Sequence, residues 1–165
     1  MFGFSNRQEK QDTLEALGYT IYTTSRLSVA DLEKNGSLMN YASYATEMTN
    51  RRPRAIIVAI DKTKPVLSGS FGLPFREQED MYKEYKRDLS KDGIKEIWTG
   101  MLYVAQIAQM GSVLKDFWVS GADKTTDGYG AIVGRYSADR RLGVNDWNRG
   151  RSNSDIGALR AVVLS

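Results

Sequence analysis

Arg135, Arg140, Arg141, Arg149 and Arg151 crowd one short stretch of the chain, interleaved with Tyr136, Trp147 and Asn148. Guanidinium groups beside aromatic rings are the composition of protein-binding hot spots and of stacking surfaces for bases. Asp123, Asp127, Asp139, Asp146 and Asp155 sit in or beside the same stretch. They repel a phosphate backbone unless the fold turns them to another face. A protein or glycan partner is therefore expected first, meeting loops 129–154, and nucleic acid second. The same aspartates, with Asn145, Asn148 and Asn153, offer the hard oxygens that calcium takes, but they lack EF-hand spacing. Asx residues in such loops more often close turns, so no metal site is expected.

A second basic cluster, Arg51, Arg52, Arg54, Lys62 and Lys64, brackets the apolar run 55–60 and contains one acid, Asp61. The two ends of such a strand lie about 20 Å apart, so these cations read as a solvated collar rather than one phosphate patch. If they do act, they act on nucleic acid, together with the later arginines.

Catalysis has little to work with. The chain holds no His and no Cys, which removes His-based triads, His zinc sites, thiolate metal sites and disulfides. Carboxylates, Lys, Tyr and Ser remain. No pair of them has convincing spacing, so a carboxylate-based hydrolase or transferase ranks third, behind a non-enzymatic binding or assembly protein without cofactor. Glu77, Glu79, Asp80, Glu84 and Asp88 alternate with Arg76, Lys83, Lys86, Arg87 and Lys91. Glu79–Lys83 and Glu84–Arg87 fall at helical pair spacing, which describes a solvated helix face. Gly69-Ser70-Phe71-Gly72 lacks the lysine of a phosphate-binding loop and reads as a turn.

The elements that must position these groups follow from patterning. Ser5 is a candidate cap for a helix ending at Gly18, and 19–24 is a β-branched and aromatic strand. Ser28 caps a helix through Lys34, stopped by Asn35-Gly36. Ser37 is expected to cap another through about Thr49, closed by Arg51-Arg52-Pro53. The run 55–60 is apolar throughout and belongs in a sheet centre, covered on both faces. A Gly/Ser loop covers 62–73. Helices are expected over 75–89 and 94–110, the second a core helix burying Trp98, Met101 and Leu102. Strands are expected at 117–120, 131–133, 141–144 and 159–164. In the last of them Val162 and Leu164 face one way and Ala161 and Val163 the other.

At 165 residues, with 41% hydrophobic and 26% charged residues and a net charge of +3, the chain has the composition of one globular domain. No stretch reaches the roughly 18 to 20 apolar residues of a membrane span, so no membrane insertion is expected. The opening residues turn polar at once and lack a secretory h-region, which favours a cytoplasmic or virion-associated location.

Leu73-Pro74 before an acidic helix start at Glu77 and Glu79, the strand Phe117-Trp118-Val119-Ser120, Gly143-Val144-Asn145 and the close from Ile156 to Leu164 resemble landmarks of formylglycine-generating-enzyme-like and C-type-lectin-like domains. The resemblance covers residues 72–165. Phe75 and Glu79 stand where that pattern has Thr and Trp, and the catalytic branch needs cysteines that this chain lacks. It implies binding rather than oxidation, as in non-catalytic members that include phage receptor-binding proteins. The fold class expected is α+β in a single domain. Helices fall mainly in residues 5–111 around a buried strand at 55–60, and short antiparallel strands follow in 117–165.

Overall fold

The computed structural model describes residues 6–41, 50–85, 94–126, 128–137 and 141–164, with backbone alone at 39–41, 85, 112, 126, 136, 137 and 141. Its elements run α1 (Arg7–Ala16), β1 (Tyr19–Thr23), α2 (Val29–Lys34), β2 (Leu38–Tyr41), β3 (Ile57–Asp61), α3 (Phe75–Tyr85) and β4 (Ile94–Trp98). A 3-10 turn, Thr99–Met101, leads to α4 (Val104–Ile107) and a second 3-10 stretch, Ala108–Leu114. The strands β5 (Trp118–Thr126), β6 (Tyr129–Ser137), β7 (Arg141–Asn148), β8 (Ile156–Gly157) and β9 (Arg160–Leu164) complete a mixed α+β fold.

Two sheets carry it. One has the order β1-β3-β9-β4 with every neighbour antiparallel. The other has the order β2-β7-β6-β5-β8, an antiparallel meander flanked by parallel pairings at β2 and β8. Aliphatic residues of both sheets, including Val58, Ile97, Val119 and Val144, close one core with α2 and α4. Leu14 of α1 covers the opposite face of the four-stranded sheet over Ala59, Ile94, Val162 and Leu164.

Local chemistry explains most boundaries. Asn6, rather than Ser5, caps α1, its side chain accepting the Glu9 N–H at 2.8 Å; Ser5 lies outside the described residues. Gly18 takes φ +95° just past the end, where a side chain is strained. At α2, Ser28 and Asp31 form a reciprocal capping box with bonds of 2.9 and 3.0 Å. The turn at 69–72 is fixed by buried Ser70, whose hydroxyl accepts the Ala158 N–H at 3.1 Å. Val162 and Leu164 pack under α1 while Ala161 and Val163 join the main core, so β9 alternates as the sequence requires.

Two expected helices are corrected. The helix from Ser37 to about Thr49 begins instead as β2, paired in parallel with β7, and 42–49 lie outside the described residues. Four residues cannot separate period 2 from period 3.6, and pairing with a strand a hundred positions away decides. The helix over 94–110 is a strand, a 3-10 turn and a short helix. Five register pairs join β4 to β9, outweighing a helical pattern that a run apolar on both faces also satisfies. Trp98 and Leu102 are buried as expected, Ile57 is half-buried, and Met101 is 43% exposed because the 3-10 turn swings it outward. The helix expected over 75–89 is described as far as Tyr85.

Candidate functional site

The first basic cluster is dispersed, as a collar would be. Lys62 and Lys64 are exposed beyond the far end of β3 from Arg51, Arg52 and Arg54. Arg52 makes a forked pair with Asp31, Nε to Oδ2 at 2.9 Å and Nη2 to Oδ1 at 3.2 Å. That fork, with the capping bonds from Ser28, holds the Asp31 carboxyl well below the usual carboxylate range. Arg51 lies over the Tyr103 ring, 4.7 Å from its centroid. Of the three arginines, Arg54 alone has no such contact among the described residues.

The second cluster divides in two. Arg135, in the left-handed region at φ 55°, lies near the end of β6 and pairs with Asp155 at 2.8 Å, leaving both side chains partly exposed. At the other end of β6 and β7 stand Trp147, Asn148, Arg149 and Arg151. Only the backbone of Tyr136 and Arg141 is described, and Arg140 lies outside the described residues.

Arg149 is a clamp within the fold. Its guanidinium carbon sits 3.9 Å from the centroid of the Phe75 ring, and its Nη2 donates to the carbonyls of Gly121 and Asp123 at 2.9 and 3.2 Å. Its own carbonyl accepts the Phe75 N–H at 3.1 Å, fixing the start of α3 on the five-stranded sheet. Gly130 lets the guanidinium lie against β6, because a Cβ there would collide with it. Burial pulls the Arg149 pKa down, and Asp123 and Glu79 oppose the shift.

Asp123 joins the two clusters. It is buried, accepts the Val104 N–H at 2.7 Å at the start of α4, and feels the charges of both Arg51 and Arg149. Burial still dominates and raises its pKa above the ordinary 3.8. Thus one arginine from each cluster converges on a single interior carboxylate.

Between α3 and the outer face of the five-stranded sheet lies a cleft walled by Leu73, Phe75, Gln78, Trp147, Arg149 and Arg151. Its free interior is about 10 Å³, room for roughly one water. Trp147 is half-buried with its Nε1–H donated to the Arg151 carbonyl at 3.1 Å, and the Arg151 side chain is exposed at the rim. Gln78 is 1% exposed. Its Nε2 donates to the Leu73 carbonyl at 2.9 Å, while its Oε1 is buried without a donor among the described residues. Composition drew attention to Trp147 and Arg151. It passed over Gln78, an amide on a helix that otherwise reads as a solvated face.

A second cleft, about 200 Å³, crosses the four-stranded sheet at Tyr19, Asp61, Lys64, Glu96 and Arg160. Here Glu96 is ion-paired to Arg160 at 2.5 Å, and Asp61 accepts from Thr63. Among the described residues no group of three or more His, Cys, Asp or Glu is placed to hold a metal, and no helix is long and apolar enough to cross a membrane. No protein-family model matches the chain, and no curated protein or solved structure matches it.

Proposed function

We propose that this chain is a non-enzymatic binding protein that meets a protein or glycan partner at the cleft between α3 and the five-stranded sheet. The observation that carries the reading is the Gln78 Oε1, a buried acceptor lacking a donor among the described residues. Leaving such a group unpaired costs about 1 to 3 kcal/mol, so a hydroxyl or N–H from a partner is favoured there over bare burial. A partner therefore inserts one polar group and lays the rest of its surface over Trp147 and Arg151. Amphipathic aromatics and arginine suit that role at protein and glycan surfaces alike. The resemblance of residues 72–165 to non-catalytic lectin-like domains, with their phage receptor-binding members, points the same way.

The competing readings have less support. Arg51 and Arg52 are engaged within the chain, which leaves a nucleic-acid surface built on them short of cations. A carboxylate-based hydrolase would draw on Asp61 and Glu96, yet each is already held by its neighbours. The test is a binding screen of the full chain against immobilised glycans and peptides without acidic side chains. Trp147→Ala and Gln78→Leu should lose each captured ligand, and Arg135→Glu should keep it. Ligands that bind both cleft variants as well as the parent would sink the reading.

A further inference from the structure

A different groove lies at the end of the four-stranded sheet. Its volume is about 380 Å³, within the range of ligand sites. Ile56, Ile57, Val163 and Leu164 contribute an aliphatic floor, and three exposed cations, Arg7, Arg54 and Lys95, stand around it. No acid is among its described lining residues.

Some cations of the molecule are already engaged. Arg52, Lys83, Arg135 and Arg160 are each paired with a carboxylate. Arg7, Arg54 and Lys95 have no ion pair among the described residues. Nor does local structure call for them. Arg7 is the first residue of α1, where a cation opposes the helix dipole. Lys95 stands opposite Val163 in a strand otherwise flanked by buried positions. Three segments remote in sequence thus bring positive charge without an ion pair among the described residues to the end of the sheet, Lys95 on the Val163 face and Arg7 on the helix that covers Leu164.

We propose that this groove docks an acidic peptide segment that alternates carboxylates with aliphatic side chains. Charge complementarity selects an anion, and the aliphatic floor selects branched hydrocarbon. A nucleic acid is disfavoured because no aromatic ring lines the floor to stack a base. The open rim favours surface ion pairs, which are weak singly and screened by salt, so binding is of modest affinity and salt-sensitive.

The probe is a fluorescein-labelled peptide alternating Glu with Leu and Ile, titrated with the full chain and followed by anisotropy. A Gln-for-Glu version and a single-stranded oligonucleotide of equal charge serve as comparisons. The acidic peptide should bind, weaken at least about tenfold with the triple variant R7E/R54E/K95E, and be indifferent to R151E. The Gln peptide should bind no more tightly than that triple variant does. If the triple reversal does not fold, the neutral R7Q/R54Q/K95Q carries the test, with a smaller loss expected in the same direction. No binding at low salt, or equal binding by the triple variant, overturns the proposal. So does an oligonucleotide that binds more tightly than the peptide and shows the same sensitivity to the three cations.

Discussion

The cleft beneath α3 and the groove at the sheet end both contain arginine, yet they are opposites in what they leave unsatisfied. In the cleft, Arg149 is engaged by Phe75 and two carbonyls, and the group without a donor among the described residues is a neutral acceptor, Gln78 Oε1. In the groove the groups without an ion pair among the described residues are three cations. Counting arginines along the chain does not separate these cases. What faces each guanidinium does, because an arginine closed into a ring stack and carbonyl bonds is part of the scaffold.

The largest effect that could break this contrast is on the scaffold of the cleft. Trp98 is 1% exposed and packs against Phe75 and Tyr82 of α3, with ring centroids 5.1 and 6.2 Å away. Trp98→Ala should cost about 3 to 5 kcal/mol in urea unfolding. It should also loosen α3, weakening cleft ligands more than the acidic peptide. A melt indistinguishable from the parent would mean that α3 is not anchored there.

Arg149→Met keeps length and apolar contact but loses the guanidinium. It should cost about 2 to 3 kcal/mol, since two buried carbonyls lose their donor and Asp123 loses a neighbouring charge. Arg151→Met, at the exposed rim, should stay within about 0.5 kcal/mol of the parent. Equal losses at the two positions would erase the distinction between scaffold and surface.

The smallest effects are in the pH dependence of stability, where two aspartates act with opposite sign. Asp31 has its pKa lowered, so its contribution is present above the ordinary 3.8 and is lost as pH falls further below it. Asp123 has its pKa raised, so between 3.8 and its higher folded value the folded chain binds more protons than the unfolded one. Its effect is a stability that falls as pH rises through that window. Asp31→Asn should flatten the acid limb of a denaturation-versus-pH curve, and Asp123→Asn should remove the fall above it. Curves for the two variants that move in the same direction would contradict these assignments.

Much of the fold is legible from residues alone wherever local chemistry decides. The Ser28 cap, the Gly18 stop, the apolar run 57–60 of β3 and the alternation of β9 each follow from neighbours in sequence. Residues 94–101 are not legible in that way. Ile94, Ile97, Trp98 and Met101 satisfy helical spacing, and only pairing with β9, remote in sequence, makes a strand of the first three. The cleft was half legible for a similar reason. Trp147 and Arg151 announce themselves by type, whereas Arg149 is drawn inward by Phe75 and two carbonyls contributed from distant positions. Gln78 matters only because its oxygen ends up facing a wall without a donor. Arg7 and Lys95 belong to the groove through strand order, and sequence spacing has no access to that.

The most direct measurement is an NMR titration of one labelled sample with two ligands in turn, a ligand captured in the glycan and peptide screen and the acidic peptide. The first should shift the Gln78 side-chain amide and the Trp147 indole N–H while leaving the Lys95 and Val163 amides in place. The second should do the reverse. A captured ligand that leaves Gln78 and Trp147 unmoved, or two ligands that shift one common set of resonances, would contradict the assignment of binding to two separate sites.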